Sequence, residues 1–341
     1  LLGGLYLLDR LKKQGVNGMI VYLLLVVGLN VVVMTRDIFN LFVFLEVSSV
    51  AIVGLVLLDR ETKAMTAGFK YLIASGIISG LLLIGIIFLY QYAGSLYIDD
   101  IVEANLTAIK GGMVAVFLIL IALALELKPF PANGWALDLY QGAHPGLAAL
   151  VSGGFASAMI FVLHKMLPID GGEWQNMFAT LGALTFIGSN LLGIKQSDAR
   201  RLLGYSSVGQ IGLMMMIVGL SRYLGGQLTV IAYGIVISHS LAKAGMFWLA
   251  GILEKDGLRD WAMLRKKPFM LALFGIFIFA LIGFPPFPSF FAKWELIMQL
   301  SAGAGFIWVA IILLGSLLEG VYLFRWLGYA LKLDHQKLPA F

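Results

Sequence analysis

Apolar runs of 18 residues or more recur along the whole chain, and this recurrence limits the fold more than any other feature. A bilayer core of about 30 Å is crossed by about 20 apolar residues in a helix. Ten such runs are present, at 16–34, 38–58, 70–92, 113–139, 146–166, 177–194, 203–221, 227–252, 268–300 and 306–331. Hydrophobic residues make up 60% of the 341 positions and charged residues only 13%, more apolar surface than one soluble core hides. A soluble enzyme, a nucleic-acid binder and a disordered chain are therefore excluded. The expected fold is all-α: a polytopic membrane protein of about ten transmembrane helices. Because the sequence starts at Leu1 rather than Met, Leu1–Leu8 is read as the end of an earlier helix.

Loop charge tests the count. Taking loops alternately, one face holds Arg10, Lys12, Lys13, Arg60, Lys63, Lys195, Arg200, Arg201, Lys255, Arg259, Arg265, Lys266, Lys267, Lys332 and Lys337. The other holds Arg36, Lys110, Lys165 and Arg222. One miscounted span scrambles this asymmetry. The positive-inside rule then places the first face in the cytoplasm of a cell (inner or plasma) membrane and accounts for the net charge of +5 without nucleic acid.

Two spans are broken by proline, at Pro129-Phe130-Pro131 and at Pro285-Pro286-Phe287-Pro288. Proline removes a backbone donor and clashes with the preceding turn. Loose backbone at membrane depth is tolerated only inside protein or beside water. The breaks lie 157 positions apart, and each has a lysine beside it, Lys128 and Lys293. Paired interrupted helices in corresponding halves mark the site of an inverted-repeat transporter. The chain is accordingly divided into 1–15 (helix remnant and loop), 16–167 (first five-helix repeat), 168–331 (second, inverted five-helix repeat) and 332–341 (cytoplasmic tail).

Ionisable groups inside spans are costly and mark function by default. Glu46 lies mid-span. His239 and Lys243, four apart, share a helix face and suit a proton relay. Glu126 and Lys128, two apart, point in different directions in a regular helix. Lys70 and Arg325 sit near span ends and are expected to snorkel. Asp138 is read as a helix-end anchor, His144 as a loop residue and His164-Lys165 as an interface pair; Glu295 and Glu319 stay ambiguous. The proton-translocation set is thus Glu46, Glu126, Lys128, His239, Lys243 and Lys293. With no Cys, four scattered His and no P-loop, GxSxG or HExxH, no cofactor or metal is expected in this chain.

Five segments resemble, in order, one known family. RDIFNLFVFLEVSS is similar to its fifth-helix segment with a buried Glu, which falls on Glu46. PFPANGWALDLYQGAHPG resembles its broken seventh helix, and SDARRLLGYSSVGQIG its "KRLLAYSSISH" signature. SHSLAKAGMFWLAG resembles its eleventh helix, landing on His239 and Lys243, and GFPPFPSFFAKW its broken twelfth, landing on Lys293. The family is that of the antiporter-like membrane subunits of respiratory complex I, Mrp-type Na⁺/H⁺ antiporters and energy-converting membrane-bound hydrogenases. Two departures stand out: the family's seventh-helix Lys position is Glu126 here, and its eighth-helix Lys or His is absent, with Ala156 and Ser157 nearby. The resemblance implies the first three and the fourteenth family helices are missing. It also implies an ion-translocating subunit, moving H⁺ or Na⁺, of a multi-subunit oxidoreductase complex. Iron–sulfur, flavin or nickel–iron centres would lie on partner subunits, with other membrane subunits and lipid as neighbours. The alternatives are a gradient-driven Mrp-type exchanger and a structural spacer with an inactive channel.

Overall fold

The computed structural model describes residues 2–58, 61–303 and 305–331. Arg60, Lys332, Lys337 and the 332–341 tail lie outside the described residues. Leu2–Lys13 (α1) precedes Gly15–Met34 (α2), Ile38–Leu57 (α3) and Thr62–Ala93 (α4). The short Ile98–Glu103 (α5) leads to Lys110–Glu126 (α6), and after the first break the chain resumes as Gly134–Gly142 (α7). Pro145–Ala149 (α8) and Ala156–Met166 (α9) are joined by a π-helical stretch, Leu150–Phe155. Gln175–Gly193 (α10), Ala199–Gly219 (α11), Ser221–Leu224 (α12) and Leu228–Leu253 (α13) follow. A 3₁₀ stretch, Leu258–Lys266, leads to Pro268–Ile282 (α14); the second break separates it from Pro288–Ala302 (α15), and Phe306–Leu331 (α16) ends the bundle.

Among the described residues, seven segments are long and apolar enough to cross a membrane: α2, α3, α4, the run from α8 to Asp170, α11, the run from α12 through α13, and α16. The other three predicted spans are α10 and the broken pairs α6/α7 and α14/α15. Each broken pair stops where proline requires. Gly283, at φ +89°, closes α14 in the left-handed conformation usual after a helix C-terminus.

The element order repeats. Asp37 and Asp198, 161 positions apart, cap α3 and α11, each accepting a backbone N–H three residues on. Each also forms an isolated antiparallel bridge to a later loop, Asp37 with Tyr97 and Asp198 with Gly257. Loop contacts fall as alternating spans require. Arg36 pairs with Asp99, and the Lys165 ammonium donates to the carbonyls of Val32, Val33 and Thr35 at the end of α2. At the opposite end, Asp138 binds Lys70 at 2.6 Å and Arg201 at 3.0 Å, and Arg200 pairs with Asp256 at 3.0 Å.

The middle of the bundle is α11, buried along its whole apolar window. It lies against α10 through glycines: a Cβ at Gly182 would collide with the Met216 nitrogen, and one at Gly212 would meet the Phe186 nitrogen at 2.6 Å. Backbone cannot yield as a side-chain tip can. Gly212→Val is therefore expected to force the two helices apart at a cost of about 1–3 kcal/mol. Thermal unfolding of the detergent-purified assembly checks this, and an unshifted midpoint contradicts it.

Candidate ion-translocation site

The first cluster forms where α6 stops. The residue before a proline is disfavoured in the α region, so the helix ends before Pro129. Lys128 takes a left-handed backbone, φ +61°. Its ammonium is completely buried and has no hydrogen-bond partner among the described residues; it rests 5.1 Å from the Phe155 ring centre and 5.9 Å from that of Trp135. Glu126 is also buried, with Oε1 unpartnered, and is the carboxylate that acts electrostatically on Lys128. Glu46, half-buried on α3, lines with Glu126 a cavity of about 10 Å³ walled also by Ser49, Ser75 and Ser79. That is about the room one water needs. The break itself is held by protein: the Phe130 N–H donates to Thr185 Oγ1 at 3.1 Å, and Asn133 Nδ2 to Ser189 Oγ at 3.3 Å.

The second cluster forms between α11, α13 and α16. His239 and Lys243 share one face of α13, as their spacing predicts, and both are buried. The Lys243 ammonium donates to Ser206 Oγ, and Ser206 donates to Glu319 Oε1 at 2.8 Å. Gln210 donates to the other oxygen of Glu319. His239 Nε2–H donates to the Ser152 carbonyl at 3.1 Å, which leaves Nδ1 unpartnered. Ser152 lies in the π-helical stretch, and its hydroxyl meets that of Ser207 at 2.7 Å. The widened π turn leaves carbonyls open to side-chain donors, and Gly153 accepts from both Ser157 and Ser240. Such turns are frequent at functional sites. This one stands where the family's eighth-helix charge is missing, and the sequence reading passed over it.

Lys293 follows the second break on α15. It is 7% exposed and donates to the Ile282 carbonyl at the end of α14, 3.1 Å away, where a helix C-terminus favours a cation. Glu319 is the carboxylate that acts on both Lys243 and Lys293.

The six predicted residues therefore fall into separate groups. Among the described residues no hydrogen bond links Lys128 to the second cluster; the Phe155 ring and the π stretch lie between. Glu319, left ambiguous from sequence, is fully buried and central. Glu295, also left ambiguous from sequence, accepts from Gln299 one turn on at 2.7 Å. Lys70 and Arg325 do more than snorkel. Lys70 pairs with Asp138, and Arg325 donates to the Ile194 and Gln196 carbonyls just past α10.

His144 caps α8, its Nδ1 accepting the Gly146 N–H at 3.1 Å. Burial first, then Arg10 and Arg200, push its pKa down to about 4. A histidine depressed in this way is neutral in the fold but charges in the unfolded chain near its usual 6.5. Stability is therefore expected to fall as pH drops from about 6.5 toward 4. His144→Asn, which keeps an N-cap acceptor and does not titrate, is expected to flatten that part of a stability–pH curve.

The fold and site define a class: polytopic helical membrane proteins with two proline-broken helices and buried Lys–Glu groups beside them. The family described as "NADH:quinone oxidoreductase/Mrp antiporter, TM" matches residues 35–319, and the chain belongs to that family. NADH-quinone oxidoreductase subunit N of Desulforudis audaxviator is 30% identical over 94% of this chain and 66% of its own length. The structure of a membrane-bound sulfane sulfur reductase, an archaeal respiratory membrane complex, holds a chain with TM-score 0.82 and 26% identity over 91% of this chain and 65% of that one. A chain of the Mrp complex from Dietzia sp. shares the fold at TM-score 0.85 and 23% identity, over 92% of this chain and 60% of that one. The chain thus spans about two thirds of the length of the relatives it matches.

Proposed function

We propose that the chain is an ion-translocating, antiporter-like subunit of a multi-subunit redox-driven membrane complex, with protons as the moving ion. One observation carries the reading: Lys128 is wholly buried at a helix break, with no hydrogen-bond partner among the described residues and with the buried Glu126 two positions before it. A structural lysine would be paired or would snorkel outward, because an isolated ammonium in hydrocarbon is costly. A lysine that gains and loses a proton has reason to sit there.

The halves 16–167 and 168–331 each supply part of a path. Glu46, Glu126 and Lys128 serve the first; His239, Lys243, Glu319 and Lys293 serve the second. A change in one carboxylate's charge alters the proton affinity of the lysine it faces, so each lysine alternates between loading and release. Iron–sulfur, flavin or nickel–iron centres on partner subunits supply the drive, and the Lys/Arg-rich loops face the cytoplasm. The relatives that are subunits of respiratory-type complexes support this assignment.

Identification of copurifying proteins, joined to dye-monitored acidification in vesicles carrying the purified assembly, tests the reading. Redox subunits and substrate-driven proton movement are expected. An assembly without redox subunits, active only on an imposed Na⁺ or H⁺ gradient, contradicts it and selects the exchanger.

A further inference from the structure

Lys243 and Glu319 are both completely buried, yet among the described residues they form no direct ion pair. One side chain joins them. Ser206 accepts from the Lys243 ammonium and donates to Glu319 Oε1 at 2.8 Å. The other carboxylate oxygen is taken by Gln210. Tyr322, one turn after Glu319, donates to Asn190 at 2.8 Å and also lies beside Ser206.

We propose that Ser206 is a proton relay that interconverts a charged and a neutral form of the Lys243–Glu319 pair, a role that rests on the transport reading above. A hydroxyl carries one proton and two acceptor lone pairs, so it both takes and gives a proton. In the relay step an N–H bond of Lys243 breaks as an O–H bond forms on Ser206 Oγ. The original Ser206 O–H breaks as an O–H bond forms on Glu319 Oε1. Ammonium and carboxylate become amine and carboxylic acid, and serine is regenerated; nothing else is consumed. Interposing one hydroxyl lengthens the charge separation and supplies the route.

The placement favours a relay over simple packing. Ser206 lies on α11, enclosed on every side, where each polar group needs a protein partner. Its partners include the buried cation and the buried anion of the second half, and the Tyr322 hydroxyl reaches it as well. The titratable groups around it are Lys243 and His239 on α13, Lys293 on α15, and Glu319 and Tyr322 on α16.

The test uses the intact assembly in vesicles with Ser206→Ala, Ser206→Cys, Ser206→Thr and, as reference, Lys243→Ala. Ser206→Ala is expected to slow proton movement about tenfold or more. Ser206→Cys, similar in size with a weaker hydrogen-bonding group, is expected to fall between, and Ser206→Thr, which keeps the hydroxyl, to stay near wild type. The infrared carboxyl band assigned by its loss in Glu319→Gln is expected to shift in Ser206→Ala and to return in Ser206→Thr. Wild-type rates and an unmoved band in both Ser206→Ala and Ser206→Cys, with Lys243→Ala inactive, overturn the relay alone. Normal transport by Lys243→Ala overturns the relay and the reading it rests on.

Discussion

Lys243→Ala is expected to stop proton movement through the second half and also to weaken the fold. Positioned proton-transfer groups commonly contribute about a hundredfold or more in rate, and among the described residues Lys243 is the only ammonium hydrogen-bonded into the Ser206–Glu319 group. Removing it leaves Glu319 as a buried carboxylate with Lys293 alone as counter-charge and without the cation that reaches it through Ser206, a loss of up to about 3–5 kcal/mol, the cost of deleting one partner of a buried pair. The two effects separate in the double variant Lys243→Ala/Glu319→Gln. With no orphan charge, stability is expected to recover most of that loss, while transport stays absent. Thermal unfolding beside vesicle acidification measures both quantities. Recovery of transport in the double variant would mean the charges balance one another structurally and nothing more.

Lys128→Met is expected to behave differently, because Lys128 gives up hydration without gaining a hydrogen bond from the described residues. Its chain already lies among Trp135 and Phe155. Met is unbranched and close in length, so it fills the same space and needs no solvation. Glu126, deprived of its cation, can protonate and remain neutral. The variant is expected to unfold at the same temperature as wild type or a few degrees above, since replacing buried charge by an apolar side chain is often neutral or stabilising. Proton movement is expected to fall about a hundredfold or more. A large loss of stability would show that Lys128 holds the break together, and its role in transport would be withdrawn.

Much of the fold was legible because membrane helices obey few rules. Apolar length, proline breaks and loop charge each act locally, so the spans could be placed without knowing their neighbours. Loop contacts such as Lys165 at the end of α2, and Asp138 with Lys70 and Arg201, then fell on the faces the alternation requires. The site was legible only in part. His239 and Lys243 share a face because the spacing on one helix dictates it. Glu319, Ser206 and Gln210 meet across α11 and α16, more than a hundred residues apart, and no local pattern carries that information. A signal was present in α11: Ser206 and Gln210, four apart, put two polar groups on one face of a span. The π-helical stretch at Leu150–Phe155 left no mark in composition at all. The single translocation set of six residues also met a limit, because partners on different helices were inferred from their chemistry alone. The structure gives two clusters, with the Phe155 ring between.

The central claim is that these clusters move protons and do not merely bind helices together. The most direct measurement is the proton uptake per substrate turnover of the complete assembly, reconstituted in sealed vesicles. Wild type is compared with Lys128→Met and Lys243→Ala at matched subunit content. Turnover with proton uptake sharply reduced in both variants is the predicted result. Unchanged uptake per turnover in both, with the assembly intact, would contradict it.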